Sequence, residues 1–173
     1  MEQIKILQII DKWNYLNIKQ ISLLLNKNEA TIRSQLKALK YKKLILVNKL
    51  TTKNIYYLSA LGRRYFGKKS QSIKINFAES KLQNLLISWL TSQKEIIEYK
   101  TQLELKHDSP REKVFPNLLI WYKDNSIEWV EFERTIKNNT KWTKKINNLN
   151  LIFNLNKKYN LRWIAVNKSI SNI

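Results

Sequence analysis

Apolar residues recur at helical spacing through the first 45 positions. Ile4, Leu7, Ile9 and Ile10 form one stripe, and Ile18, Ile21, Leu24 and Leu25 form a second. In NKNEATIRSQLKALKYKKLI (26–45) an Asn-rich turn precedes Glu29, an acid placed favourably for the helix dipole. Ile32, Leu36 and Leu39 then face inward, which leaves Thr31, Arg33, Ser34, Lys37 and Lys40 outside or at the edge. LILVNKL and IYYLSA are short β-rich runs on either side of TTKN and predict a hairpin with a basic tip; ALGRRYF predicts a short closing helix.

The second half changes period. FAESKLQNLLISWLTS (77–92) is helical, with Phe77, Leu82, Leu85, Leu86 and Leu90 on one side. EIIEYKTQLELK (95–106) alternates and predicts a strand with Ile96, Glu98, Lys100, Gln102 and Glu104 on one face. VFPNLLIWY, entered through Pro116, and SIEWVEFERT predict two more strands around the turn KDNS. A helix from about residue 136 places Trp142, Ile146, Leu149 and Phe153 together, and LRWIAVN is a fourth strand. Helix, three strands, helix, strand suggests an α/β layer around a mixed sheet. The expected class is therefore α+β, with a helical and hairpin domain over 1–69, a linker over 70–75 marked by the polar run KKSQSIK, and an α/β domain over 76–173.

Composition sharpens this picture. Among 173 residues, 32 Lys and Arg face 13 Asp and Glu, a net charge of +19. A field of that sign favours nucleic acid or an anionic surface. No run of about 18 apolar residues exists to span a membrane, and no amphipathic helix with a strongly apolar face favours a membrane partner. The absence of Cys excludes disulfides and thiolate metal sites and agrees with an expected cytoplasmic location. A lone His107 excludes a His-rich metal site.

The charge is uneven. Residues 1–78 hold 16 Lys and Arg against Glu2, Asp11 and Glu29, a net of +13, and no acid follows Glu133. Nine acids lie within 95–133, among them Glu128, Glu131 and Glu133 on a strand otherwise built of Ile127, Trp129, Val130 and Phe132. Either they balance surface charge, or they form a carboxylate site between two basic surfaces. Trp121, Trp129, Trp142 and Trp163 fall at periodic positions, which points to core packing rather than base stacking.

The stretches EATIRSQLKALKYKKLI and NIYYLSALGRRYF resemble the recognition helix, wing and following helix of a winged helix-turn-helix domain. The resemblance covers about 1–67 and departs at Lys43, where the family commonly has Gly before the strand. It implies a third helix in the major groove of double-stranded DNA and a wing on the backbone. Arg33 and Lys37 are then candidates for base edges or phosphates, Thr31, Ser34 and Lys40 for phosphates, and Lys49, Lys53 and Asn54 for wing contacts. The alternative for this half is a protein-interaction module with a solvated basic face.

The second half resembles the restriction-endonuclease-like fold, whose site is written PD-(D/E)xK, through Pro116-Asn117 and Glu131-Phe132-Glu133. The two halves together look like the replication-relaxation or plasmid mobilisation proteins, which share a Glu strand, a Pro-Asp strand and a Glu-x-Glu-x-x-x-Lys stretch before an aromatic. Here those positions are Glu131, Glu133, Lys137 and Trp142.

The resemblance implies a DNA-binding protein acting at a plasmid or mobile-element origin in mobilisation or replication. It would nick DNA with Mg²⁺ or Mn²⁺, or hold it for a relaxase or replication initiator. The catalytic candidates it implies are Glu131, Glu133, Lys137, Asn117 and Glu98, with Glu131 and Glu133 as metal ligands; Glu104 could add a ligand and Lys141 a phosphate contact. Asn117 stands where that pattern has Asp, and Glu133 where it has Lys. Glu131 and Glu133 lie about 7 Å apart on one strand face, and Arg134, Lys137 or Lys141 could pair with them in place of a metal. A winged-helix transcription regulator with a C-terminal dimerisation domain is the alternative, and paired half-sites would suit a homodimer.

Overall fold

A computed structural model describes residues 2–49, 53–70, 72–133, 139–155 and 158–165. The chain is α+β and divides into two compact units, Met1–Ser92 and Gln93–Ile173.

The first unit runs α1 (Glu2–Trp13), β1 (Tyr15–Asn17), α2 (Ile18–Leu25), α3 (Glu29–Tyr41), β2 (Ile45–Asn48), β3 (Ile55–Leu58), α4 (Ala60–Tyr65) and α5 (Phe77–Ser92). Helix α1 buries Ile6, Leu7, Ile10 and Trp13 and leaves Ile4 exposed, so its core stripe is rotated from the expected one. Asn17 opens α2 with a capping box: its side chain accepts from Gln20 N at 3.0 Å, and Asn17 N donates to Gln20 Oε1 at 2.7 Å. Asn26 closes that helix in the left-handed region, a conformation Asn tolerates well. Helix α3 buries Ile32, Leu36 and Leu39 as the spacing predicts.

The hairpin joins a three-stranded antiparallel sheet in the order β1-β3-β2. Strand β1 was not legible as a strand, being only three residues long. The turn from α3 into β2 places Lys43 in the left-handed region, at φ 58°, which explains why a glycine suits this position. Ser59 caps α4 and also donates to the Lys43 carbonyl at 2.6 Å, tying the helix to that turn. Gly62 lies against the Leu44 carbonyl, where a Cβ would collide with backbone.

Helix α5 packs on α2 within this first unit. Gln83 Nε2 donates to the Trp13 carbonyl at 3.1 Å, and Asn17 Nδ2 to Asn84 Oδ1 at 3.0 Å. Lys68 also pairs with Asp11 at 2.7 Å. The compact division after Ser92 groups α5 with the first unit, where its polar side chains satisfy groups at the α1–β1–α2 junction.

The second unit runs β4 (Ile96–Thr101), α6 (Gln102–Asp108), β5 (Leu118–Tyr122), β6 (Ile127–Glu133), α7 (Asn139–Leu155) and β7 (Tyr159–Ala165). Its sheet has the order β4-β5-β6-β7, antiparallel except for the parallel pair β6–β7. The strand expected over 95–106 stops at Thr101, where a capping box starts α6: Thr101 N donates to Glu104 Oε2 at 2.8 Å. Leu119, Ile127 and Trp129 form the core of one sheet face with Leu149 of α7. Trp121, Phe153, Tyr159 and Trp163 pack against it, as expected for core aromatics. Leu118, Ile120, Val130 and Phe132 are buried on the other face.

Candidate functional site

Two sets of residues carry chemistry. The first is the outer face of α3. Asn28 caps this helix, its side-chain oxygen accepting from Thr31 N at 2.8 Å. Burial of Ile32, Leu36 and Leu39 fixes the rotation of the helix and turns Arg33, Ser34, Lys37 and Lys40 outward, all exposed. Thr31 lies at the edge, half-buried. Arg33 and Lys40 are seven residues apart, about 10 Å along the axis. Glu29, at the N-terminal end, is the sole acid of the helix.

Lys49, Lys53 and Asn54 are exposed and flank residues 50–52, which lie outside the described residues. In the hairpin Tyr56 is buried and Tyr57 half-buried. Lys141 belongs to α7, but its side chain is outside the described residues.

The second set is on β6, where alternation sends Glu128 to one sheet face and Glu131 to the other. Both are buried, at 7% and 3% exposure. Glu128 Oε1 accepts from Arg162 Nε of β7 at 2.6 Å, and Oε2 from the Tyr122 hydroxyl of β5 at 2.8 Å. Burial and the bond to Glu128 push the Tyr122 phenol up to about 12. Glu131 Oε1 accepts from the indole Nε1 of Trp129 at 2.8 Å, and Oε2 pairs with Lys145 Nζ of α7 at 2.9 Å. The Lys145 ammonium also lies 4.8 Å from the centroid of the Trp163 ring.

Asn117 joins two strands. Its side-chain oxygen accepts from Phe132 N at 2.7 Å, its N–H donates to the Val130 carbonyl at 3.0 Å, and its own carbonyl accepts from Gln102 N at 3.2 Å. It therefore extends the β5–β6 ladder past Leu118. Glu98 is exposed and lies opposite Trp121, which lies opposite Ile127. Four residues along β6 and two strands across, it is about 16 Å from Glu131. Glu104 is taken up in the α6 cap. Glu133 pairs through its backbone with Ala165; its side chain and all of Lys137 lie outside the described residues.

The described residues thus bring Asn117 and Glu131 to neighbouring points of β5 and β6 and leave Glu98 and Glu104 elsewhere. Among them no three His, Asp or Glu side chains converge as a metal site. Nor do the donors at Glu131 suit a divalent ion. One oxygen faces an indole N–H, the other an ammonium, and the Asn117 oxygen faces a backbone N–H. Lys145, Trp129 Nε1, Arg162 and Tyr122 are the partners that sequence reasoning missed. The Lys-rich stretch KWTKK carries no mark distinguishing Lys145 from Lys141 or Lys144, and its partnership arises only when α7 folds over β6.

No protein-family model, no curated protein and no solved structure matches this chain. Among the described residues no helix is long and apolar enough to cross a membrane.

Proposed function

We propose that the protein binds double-stranded DNA through the outer face of α3 and the β2–β3 hairpin, as a winged helix. The observation that carries this reading is the division of α3 between a buried stripe of Ile32, Leu36 and Leu39 and an exposed strip of Arg33, Ser34, Lys37 and Lys40. A helix of that kind fits a major groove about 12 Å wide. Exposed Lys49, Lys53 and Asn54 on the hairpin arms supply backbone contacts. The net charge of +13 over residues 1–78 supplies the attraction to phosphate.

In this reading the second unit is a restriction-endonuclease-like platform that holds DNA rather than one that cuts it, because its buried β6 carboxylates are engaged by protein cations. We further propose, on the resemblance to mobilisation proteins alone, that it acts at the origin of a plasmid or mobile element, beside a relaxase or replication initiator. Selection of duplexes from a random pool tests the groove assignment. Arg33→Ala should weaken binding to the selected duplex by about 1–3 kcal/mol and to random duplex by less. Equal losses on both would reduce Arg33 to a phosphate contact. No selected sequence at all would remove groove reading.

A further inference from the structure

Glu131 is buried, with its side chain 4% exposed, and a buried carboxylate must be compensated. The compensation comes from α7, an element with no acid of its own. Lys145 reaches Oε2 at 2.9 Å while its ammonium stays within cation–π range of Trp163. The remaining oxygen, Oε1, takes the Trp129 indole N–H. Side chains from β6 and α7 thus hold the two oxygens of one negative charge, and a β7 ring lies against the ammonium.

We infer that Lys145 supplies, from within the chain, the positive charge that a carboxylate on such a strand would otherwise take from a divalent ion. Glu131 is closed to Mg²⁺ and Mn²⁺ while Lys145 is in place, and a neutral side chain at 145 opens it to them. A dication entering at Oε2 must expel the ammonium from its 2.9 Å pairing with Glu131 and disturb its contact with Trp163. In exchange it gains one charged ligand among the described residues, since the indole N–H is a donor and cannot ligate. The inference concerns the second unit alone and stands or falls separately from DNA binding by α3.

The test is Mn²⁺ binding by the full chain, followed by electron paramagnetic resonance of the free ion. Wild type, Glu131→Gln, Lys145→Met and the double variant are compared. Wild type and Glu131→Gln should bind Mn²⁺ alike, with no component that depends on Glu131. Lys145→Met should gain such a component, at least about tenfold tighter than wild-type binding and lost in the double variant. A wild-type site that vanishes in Glu131→Gln overturns the inference, because the metal then displaces Lys145. So does the absence of any gain in Lys145→Met. Lys145→Gln replaces Lys145→Met if the latter does not fold. If neither folds, the wild-type comparison decides alone: binding that depends on Glu131 overturns the inference, and its absence supports it.

Discussion

Replacing Asn117 by Ala separates a ladder-extending side chain from a metal ligand. Its side-chain oxygen accepts from Phe132 N at 2.7 Å, one residue beyond Glu131, at a point where β5 has ended and no backbone carbonyl of that strand is paired with Phe132. Phe132 itself is 5% exposed, so water has poor access to its N–H once the acceptor is gone. An amide left without its partner costs about 1–3 kcal/mol when buried. Asn117 is half-buried, so the expected loss is in the lower part of that range, about 1–2 kcal/mol. Asn117→Asp keeps the acceptor and should retain most of the stability, since a carboxylate oxygen accepts at least as well. Urea unfolding monitored by tryptophan fluorescence reads both, with the m-value as a check that the same surface is exposed. A loss below about 0.5 kcal/mol for Asn117→Ala, or equal losses for Ala and Asp, would refute the ladder role.

The remaining predictions concern the turn before β2 and the buried phenols. Lys43→Gly should raise stability by about 0.5–1 kcal/mol by removing a side chain from the left-handed region; unchanged or lower stability in urea would show that the turn holds no strain. Of the eight tyrosines, Tyr15 and Tyr122 are each pushed up to about 12 by burial first of all, with Glu79 and Glu128 respectively adding to it. Their folded values lie above the ordinary 10.0, so the stability they contribute is complete below pH 10 and is lost as pH rises toward about 12. Absorbance titration of phenolate should show a late phase that Tyr122→Phe reduces; a phase unchanged by that substitution would remove Tyr122 from it.

The sequence carries the long elements and misses the short ones. Helix α3 was legible because Ile32, Leu36 and Leu39 keep one spacing and Asn28 and Glu29 mark its start. Strand β6 was legible from its alternation, and β5 from its apolar run after Pro116. At Gln102–Asp108, Leu103 and Leu105 continue the alternation of β4, so the helix was hidden; Thr101 and Glu104 at capping-box spacing were the local signal for it. Ile6 replaces Ile4 in the α1 core because both fit an apolar face, and only packing chooses between them. The carboxylates of β6 announced themselves as unusual, but their partners did not. Tyr122 lies on the neighbouring strand, while Arg162 and Lys145 lie on elements that reach β6 only through the parallel crossover. Such pairings are set by register and helix rotation, which no single-chain pattern encodes directly.

The measurement that bears most directly on DNA binding by α3 is the salt dependence of affinity for a random duplex. It is made with wild type and with a variant carrying Arg33→Ala, Lys37→Ala and Lys40→Ala together. Each phosphate neutralised contributes about −0.9 to the slope of log K against log salt. The expected wild-type slope is steep, and the triple variant should be shallower by up to about 2.7 while remaining folded by circular dichroism. A flat wild-type slope, or a steep slope that the triple substitution leaves unchanged, would contradict DNA binding through the outer face of α3.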